Sequence, residues 1–351
     1  MTRKRAAAPT AVRWPQAAAK LAGTLALPRL HPAVVAWTAA APRETWFVAF
    51  SGGADSLALL LLVWSHWPER RKRLRALHFD HRLRGADSRG DAAFCRRVCR
   101  ALNIPLIEDQ WAEASSSASE ADARAARHAF FDRHAGVLWL GHQQDDIAET
   151  LLMRIAAGSG AAGLAAPRPV HELPAVKSRR STRGRTRLRP LLTLQKSEVT
   201  AALTEAGAVW REDSTNATGA FFRNRLRRDV LPAWRDAAQR DALAGAARTR
   251  ELIEEDDVAL EAWLAKIGPV AADGSLSLRR LASVPRAVAR RALHRWILAQ
   301  PVPIRISRQG FDGLLDAALR GNPTRQSLGR DLFAVIGSGK MRLKAEAKRA
   351  P

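Results

Sequence analysis

At 351 residues the chain is long enough for two domains, and 57 Lys and Arg against 34 Asp and Glu leave a net charge of +23. A hydrophobic fraction of 47% with 26% charged residues excludes disorder of the whole chain, and two cysteines exclude a disulfide framework. The charge points to a polyanionic partner, nucleic acid first; because Tyr is absent and Ala abundant, the preference for Arg over Lys reads as codon bias rather than as a signal of its own.

Residues 1–44 carry seven basic side chains and one acid, Glu44, and read as a basic N-terminal extension. Pro28, Arg29, His31 and Pro32 interrupt any apolar core a targeting peptide would need. From Trp46 onward, short β-branched or aromatic runs at 46–50, 74–79, 104–109 and 137–140 alternate with helical patterns at 56–67, 88–102 and 120–134. That order predicts a doubly wound parallel α/β sheet, Rossmann-like, over residues 45–232. Ligands in such sheets lie beyond the carboxyl ends of the strands. The apolar run 57–64 is far shorter than the roughly 20 residues of a membrane span, so no membrane partner is expected. Cys95 and Cys99, four apart in a helical stretch, read as reduced, core-packed thiols of a cytoplasmic protein.

Residues 167–189, with eight basic residues and one acid, read as a mobile basic loop. A second basic knot follows at Arg223, Arg225, Arg227 and Arg228. Beyond Pro232 helical periods dominate, which predicts a smaller, mainly helical domain over 233–351 with a short hairpin within 326–343.

Three motifs follow predicted strands. Ser51, Gly52, Gly53, Ala54, Asp55 and Ser56 place two glycines, two hydroxyls and a helix N-terminus at one turn, a combination suited to phosphate or pyrophosphate. The spacing is not that of a Walker A loop, and an ordinary capped strand-to-helix turn is the bland alternative. His78, Asp80, His81, Arg82 and Arg84 stand where the adenosine half of a nucleotide lies in doubly wound domains. A metal site on the two histidines is the competing reading, although no Cys or third His joins them in sequence. In Gly141, His142, Gln143, Gln144, Asp145, Asp146 and Glu149, helical spacing puts three carboxylates on one face, where Mg²⁺ or an ammonium group would relieve their repulsion.

In this order the motifs resemble the N-type ATP pyrophosphatases of the PP-loop superfamily, and within it the tRNA(Ile)-lysidine synthetase family. The likeness is carried by Ser51 to Ser56, His78 to Arg84, the Glu120, Asp122, Arg124, Arg127 and His128 stretch, and Gly141 to Thr150. It continues through Arg189-Pro190-Leu191-Leu192, Asp213-Ser214-Thr215-Asn216 and Arg223-Asn224-Arg225-Leu226-Arg227. It implies an adenine nucleotide α-hydrolase-like fold and a ligase that uses ATP and Mg²⁺ to join free L-lysine to the wobble cytidine of the isoleucine tRNA bearing a CAU anticodon. An adenylated base would be the intermediate, and AMP and pyrophosphate the by-products. A tRNA 2-thiolation enzyme of the same superfamily and a non-catalytic nucleotide- or RNA-binding module are the alternatives. The CxxxC spacing of Cys95 and Cys99 speaks against the first, and the acidic triad against the second.

By that resemblance the 51–56 loop, His78 and His142 bind ATP. Asp55, Arg124, Asp145, Asp146 and Glu149 are the catalytic candidates, with Asp55, Asp145 and Asp146 as Mg²⁺ ligands and Glu149 receiving the lysine ammonium. Arg179, Arg180, Arg183, Arg185, Arg223, Arg225, Arg227 and Arg228 are expected on tRNA phosphates, contacts that position without reading sequence. His128 stands where the family usually has Tyr, Ser214 where Pro is frequent, and the region after Pro232 is short beside three-domain members.

Overall fold

The computed structural model describes residues 12–40, 44–81, 86–111, 120–173, 184–212, 222–329 and 331–345. Within the stretch expected as an extension, Trp14–Thr24 forms α1 and Pro32–Ala40 forms α2. Trp14, Ala17, Ala18, Leu21 and Val34 are buried in the same core as the first strand, so residues 14–40 are part of the main body. Sequence periodicity passed over them because α1 buries one narrow apolar stripe and α2 is short.

The elements that follow are β1 (Trp46–Ala49), α3 (Ala54–His66), β2 (Leu74–Asp80), α4 (Ala86–Ala101), β3 (Leu106–Gln110), α5 (Glu120–His134) and β4 (Val137–Trp139). They match the expected alternation. Then come α6 (Gln144–Ala156), the single turn α7 (Ala161–Leu164), β5 (Val170–Leu173), β6 (Arg185–Leu188), α8 (Lys196–Glu205) and α9 (Phe222–Arg225). A π-helical turn (Leu226–Val230) leads into α10 (Leu231–Ala238), and α11 spans Ala242–Ile267.

The six strands are ordered β3-β2-β1-β4-β6-β5, all parallel except β5, which runs antiparallel to β6. Trp46 is in register with Leu74 on one side and Val137 on the other. The chain winds outward from β1 to β3 and then returns to the opposite side of β1, so the switch point lies between β1 and β4. Alternation along the strands feeds both faces. Trp46, Val48, Leu74, Ala76 and Trp139 join the core under α1, α3 and α8, while Phe47, Leu77, Phe79 and Leu138 pack with Phe130 and Phe131 of α5. Helix α3 is apolar on every side because residues 57–63 are all buried, and each fully buried Leu contributes about 1.5–3 kcal/mol.

The basic stretch 167–189 is not a loop throughout: β5 and β6 occupy its two ends, and 174–183 lie outside the described residues. Arg residues at alternate positions of β6 masked a strand whose Leu188 is fully buried and whose Arg187, like Arg189 just after it, is nearly so.

Two compact units divide at 254/255, within α11 and downstream of the expected limit at Pro232. The second unit contains β7 (Leu276–Ser277), α12 (Leu278–Leu281), α13 (Arg286–Leu298), α14 (Arg308–Arg320), β8 (Thr324–Gly329), β9 (Leu332–Gly337) and β10 (Lys340–Ala345). Its antiparallel sheet, ordered β7-β10-β9-β8, is larger than the expected hairpin. Leu293, Trp296, Leu314, Leu315, Ile336 and Met341 form its core.

Candidate functional site

The 51–56 loop joins β1 to α3. Gly53 is the cap residue of α3 and offers no side-chain acceptor, so the first N–H groups of the helix face the loop uncapped. Gly52 has φ +91°, which only glycine adopts without strain, and a Cβ there would meet Phe94, Cys95 and Arg211. Ser56 Oγ donates to the Gly53 carbonyl and lies 3.0 Å from Ser51 Oγ, while the Ser51 and Gly53 N–H groups donate to Ser56 Oγ and Ser51 Oγ. Arg211 holds the loop from outside. Its backbone N–H donates to the Gly52 carbonyl and its guanidinium pairs with Asp91 at 2.7 Å.

Gly141 follows β4 directly beside this loop, and a Cβ on it would stand 2.9 Å from the Asp55 carbonyl oxygen. Gln143 and Asp146 form a capping box at the start of α6: Gln143 Oε1 accepts from the Asp145 N–H, and Asp146 Oδ2 accepts from the Gln143 N–H. The three carboxylates do not act as one group. Asp145 turns aside to accept the Lys196 N–H at 2.9 Å, which ties α6 to α8. Asp146 and fully buried Glu149 remain together, neutralised by two arginines. Arg223 donates Nη2 to Asp146 Oδ1 and Nε to Glu149 Oε2, both at 2.6 Å, and Arg227 donates Nε to Glu149 Oε1 at 2.6 Å.

Asp55 sits at the mouth between these parts. Lys196 Nζ lies 3.6 Å from its Oδ2, while Oδ1 is buried without a hydrogen-bond partner. Burial raises the Asp55 pKa, Lys196 opposes the rise, and Asp146 adds to it. Among the described residues no three His, Cys, Asp or Glu side chains are grouped to hold a metal. The partnerless Oδ1 does suit a cation that takes one or two protein carboxylates and completes its shell with phosphate oxygens, the usual habit of Mg²⁺.

Arginines gather around two histidines, His142 and His128, and disfavour their charged forms. His142 Nδ1 accepts from Arg189 Nε at 3.0 Å; burial, then Arg189 and Arg223, then Arg124 and Arg127, keep its pKa well below the ordinary value. His128 Nδ1 accepts from Arg187 Nη1 at 2.7 Å, and its pKa is lowered to about 4 by burial and by Arg187, Arg124 and Arg127. With Nδ1 accepting, each neutral ring carries its proton on Nε2. His78 is the reverse case: Nδ1 lies 2.9 Å from the Phe50 carbonyl and must donate, which leaves Nε2 a buried acceptor with no partner.

Several expected phosphate contacts have other partners within the protein. Arg185 pairs with Asp132 at 2.6 Å, Arg225 lies over Phe222, Arg228 pairs with Asp229, and Arg223 and Arg227 face the buried acids. Arg179, Arg180, Arg183, Arg82, Arg84 and the 213–216 motif lie outside the described residues. Lys196 and Arg211 belong to the site without having been singled out, while Arg187 and Arg189 were read only as part of the basic 167–189 stretch and, for Arg189, of the Arg189-Pro190-Leu191-Leu192 run. The one signal for Lys196 was a cation in the first turn of a helix, where the macrodipole disfavours it. Cys95 and Cys99 are buried, and burial pushes the Cys99 thiol up to about 12, so neither is poised to carry sulfur.

Residues 29–234 match the family model of the PP-loop domain. A tRNA(Ile)-lysidine synthase of Symbiobacterium thermophilum is 37% identical over 66% of this chain and 48% of its own length. One from Mycolicibacterium paratuberculosis is 33% identical over 84% of this chain and 85% of its own. Against the first of these curated relatives the chain spans about half to two thirds of their length. Among solved structures, a U34-tRNA thiolase from Methanococcus maripaludis aligns over 68% of the chain at 17% identity with a TM-score of 0.48.

Proposed function

We propose that this chain, which belongs to the tRNA(Ile)-lysidine synthase family of PP-loop proteins, uses ATP to join free L-lysine to C2 of the wobble cytidine in the CAU-anticodon isoleucine tRNA. The cytoplasm, where both substrates meet, is its proposed location. One observation carries the reading: an anion cradle and a buried carboxylate pair flank the β1/β4 switch point, locked together where Gly141 meets Asp55. Such a site handles a polyphosphate and an amine side by side.

In the first step the cytosine 2-oxygen forms a bond to the α-phosphorus and the bond to the β-phosphate oxygen breaks. Pyrophosphate stays in the cradle of Ser51, Gly52, Gly53 and Ser56, on the uncapped N-terminus of α3. Asp55 Oδ1 would hold Mg²⁺, which draws charge from the phosphates. Lys196 lies beside Asp55 and adds positive charge there. Arg124, Arg127, Arg189 and the Nε2–H of His142 face the nucleotide α-phosphate and then the AMP leaving group. His78 Nε2 offers an acceptor to a hydroxyl or amine of the nucleoside.

In the second step the lysine ε-ammonium gives one proton to solvent, and the free amine forms the C–N bond at C2, its second proton leaving with AMP. The C2–oxygen bond breaks and AMP departs with that oxygen. Asp146 and Glu149 orient the amine and take up its positive charge. No protein nucleophile is needed, so positioning and charge neutralisation supply the rate. Incubation of the full chain with CAU-anticodon tRNA, ATP and labelled lysine tests this. Label in the tRNA with equal amounts of AMP and pyrophosphate is the expected result, and pyrophosphate release that needs a sulfur donor instead of lysine would overturn it.

A further inference from the structure

Glu149 is fully buried, yet both of its oxygens are occupied by guanidinium groups of the chain itself. Arg223 bridges Glu149 and Asp146, and Arg227 adds a second bond to Glu149 at 3.0 Å. Under the function proposed above, on which this inference rests, the same carboxylates receive the amine of lysine. We propose that Arg223 and Arg227 are internal counter-ions that close the amine site, and that tRNA phosphates draw them away, so that RNA decides when lysine enters.

The charges require an exchange. Two buried carboxylates stripped of their cations are too costly to persist, so ammonium must enter as guanidinium leaves. A guanidinium in turn needs a destination of comparable charge and geometry, and a phosphodiester accepts its paired N–H groups. The segment that carries these arginines has two faces. Arg223, Leu226 and Arg227 point inward, whereas Arg225 and Arg228 are exposed on the outside, where Arg228 pairs with Asp229.

The backbone supplies a means of movement. Arg227 sits on the π-helical turn Leu226–Val230, between α9 and α10. Such a turn holds one residue more than an α-helical turn, and one residue of register amounts to about 100° of rotation. Relaxing it to α-helix would swing Arg227 off Glu149 without unfolding either helix. This makes the two arginines determinants of substrate order.

Calorimetric titration of L-lysine into the full chain, with a non-hydrolysable ATP analogue and with or without CAU-anticodon tRNA, tests the proposal. Wild-type protein should bind lysine about 10-fold more tightly when tRNA is present. Arg223→Gln should bind lysine about 10-fold more tightly than wild type in the absence of tRNA, and Arg223→Lys, which keeps the cation, should behave as wild type. Unchanged or weaker RNA-free binding in a folded Arg223→Gln protein overturns the proposal, because the arginine would then build the site instead of closing it. Equal wild-type affinity with and without tRNA overturns it too, and that arm needs no variant. Absence of lysine binding in every arm removes the proposed function and this inference with it.

Discussion

Gly141 packs so closely on Asp55 that a methyl group in place of its hydrogen would stand 2.9 Å from the Asp55 carbonyl oxygen and 3.2 Å from the Ser56 nitrogen. Two strand-end motifs some 90 residues apart in sequence are thereby held as one surface across β1 and β4. The neighbouring atoms are backbone and cannot swing aside. Gly141→Ala should therefore cost about 1–3 kcal/mol of stability and displace the start of α3. A melting curve together with ATP binding checks this, and the expected outcome is a lower Tm with weakened ATP binding.

The buried carboxylate of Asp55 carries a cost in stability. Its raised pKa, caused first by burial and only partly offset by Lys196, means that the folded state binds the proton more tightly than the unfolded chain. Stability from this group is therefore full below the unfolded value and lost as pH rises through the folded one. Asp55→Asn should keep or raise the Tm at pH 7, with the gain shrinking toward pH 4, while pyrophosphate release with tRNA and lysine is lost. Thermal melts at the two pH values plus a turnover assay decide it.

The histidines work with the opposite sign. His31 and His128 are both lowered from 6.5 to about 4, chiefly by burial, so the unfolded chain takes up protons that the folded protein refuses. Their contribution is complete above pH 6.5 and declines as pH falls toward 4. Denaturant unfolding between pH 7 and 4.5 should show this loss, and His128→Gln, which keeps an acceptor for Arg187 without titrating, should reduce the slope.

Two groups of arginines in the 167–189 stretch should separate experimentally. Substituting Arg179, Arg180 and Arg183 by Gln should weaken tRNA binding and flatten the dependence of log K on log salt by up to about 2–3 units. Arg185→Gln should lower the Tm, because its guanidinium is held by Asp132 at 2.6 Å. Salt-dependent binding and melts of both proteins check the division, and an unchanged slope in the triple variant would remove these three arginines from the RNA contact.

The sequence by itself determined the alternation of β1 to β4 with their helices, the 51–56 loop and the placing of the three motifs at strand ends, because these depend on local periodicity and on turn residues with a single physical use. Gly52 at φ +91° is such a residue: its conformation is nearly a property of its own chemistry. Charge misled where position was needed. Arg187, Arg189, Arg223 and Arg227 look alike in a basic sequence, yet each meets a buried or half-buried partner that lies far away along the chain. Likewise Asp145 and Asp146 are adjacent, and only tertiary structure decided that one binds the N-terminus of α8 while the other faces Arg223. A carboxylate is legible from sequence as a demand for positive charge, but the cation that satisfies it is chosen by whichever distant segment the fold brings within hydrogen-bond reach.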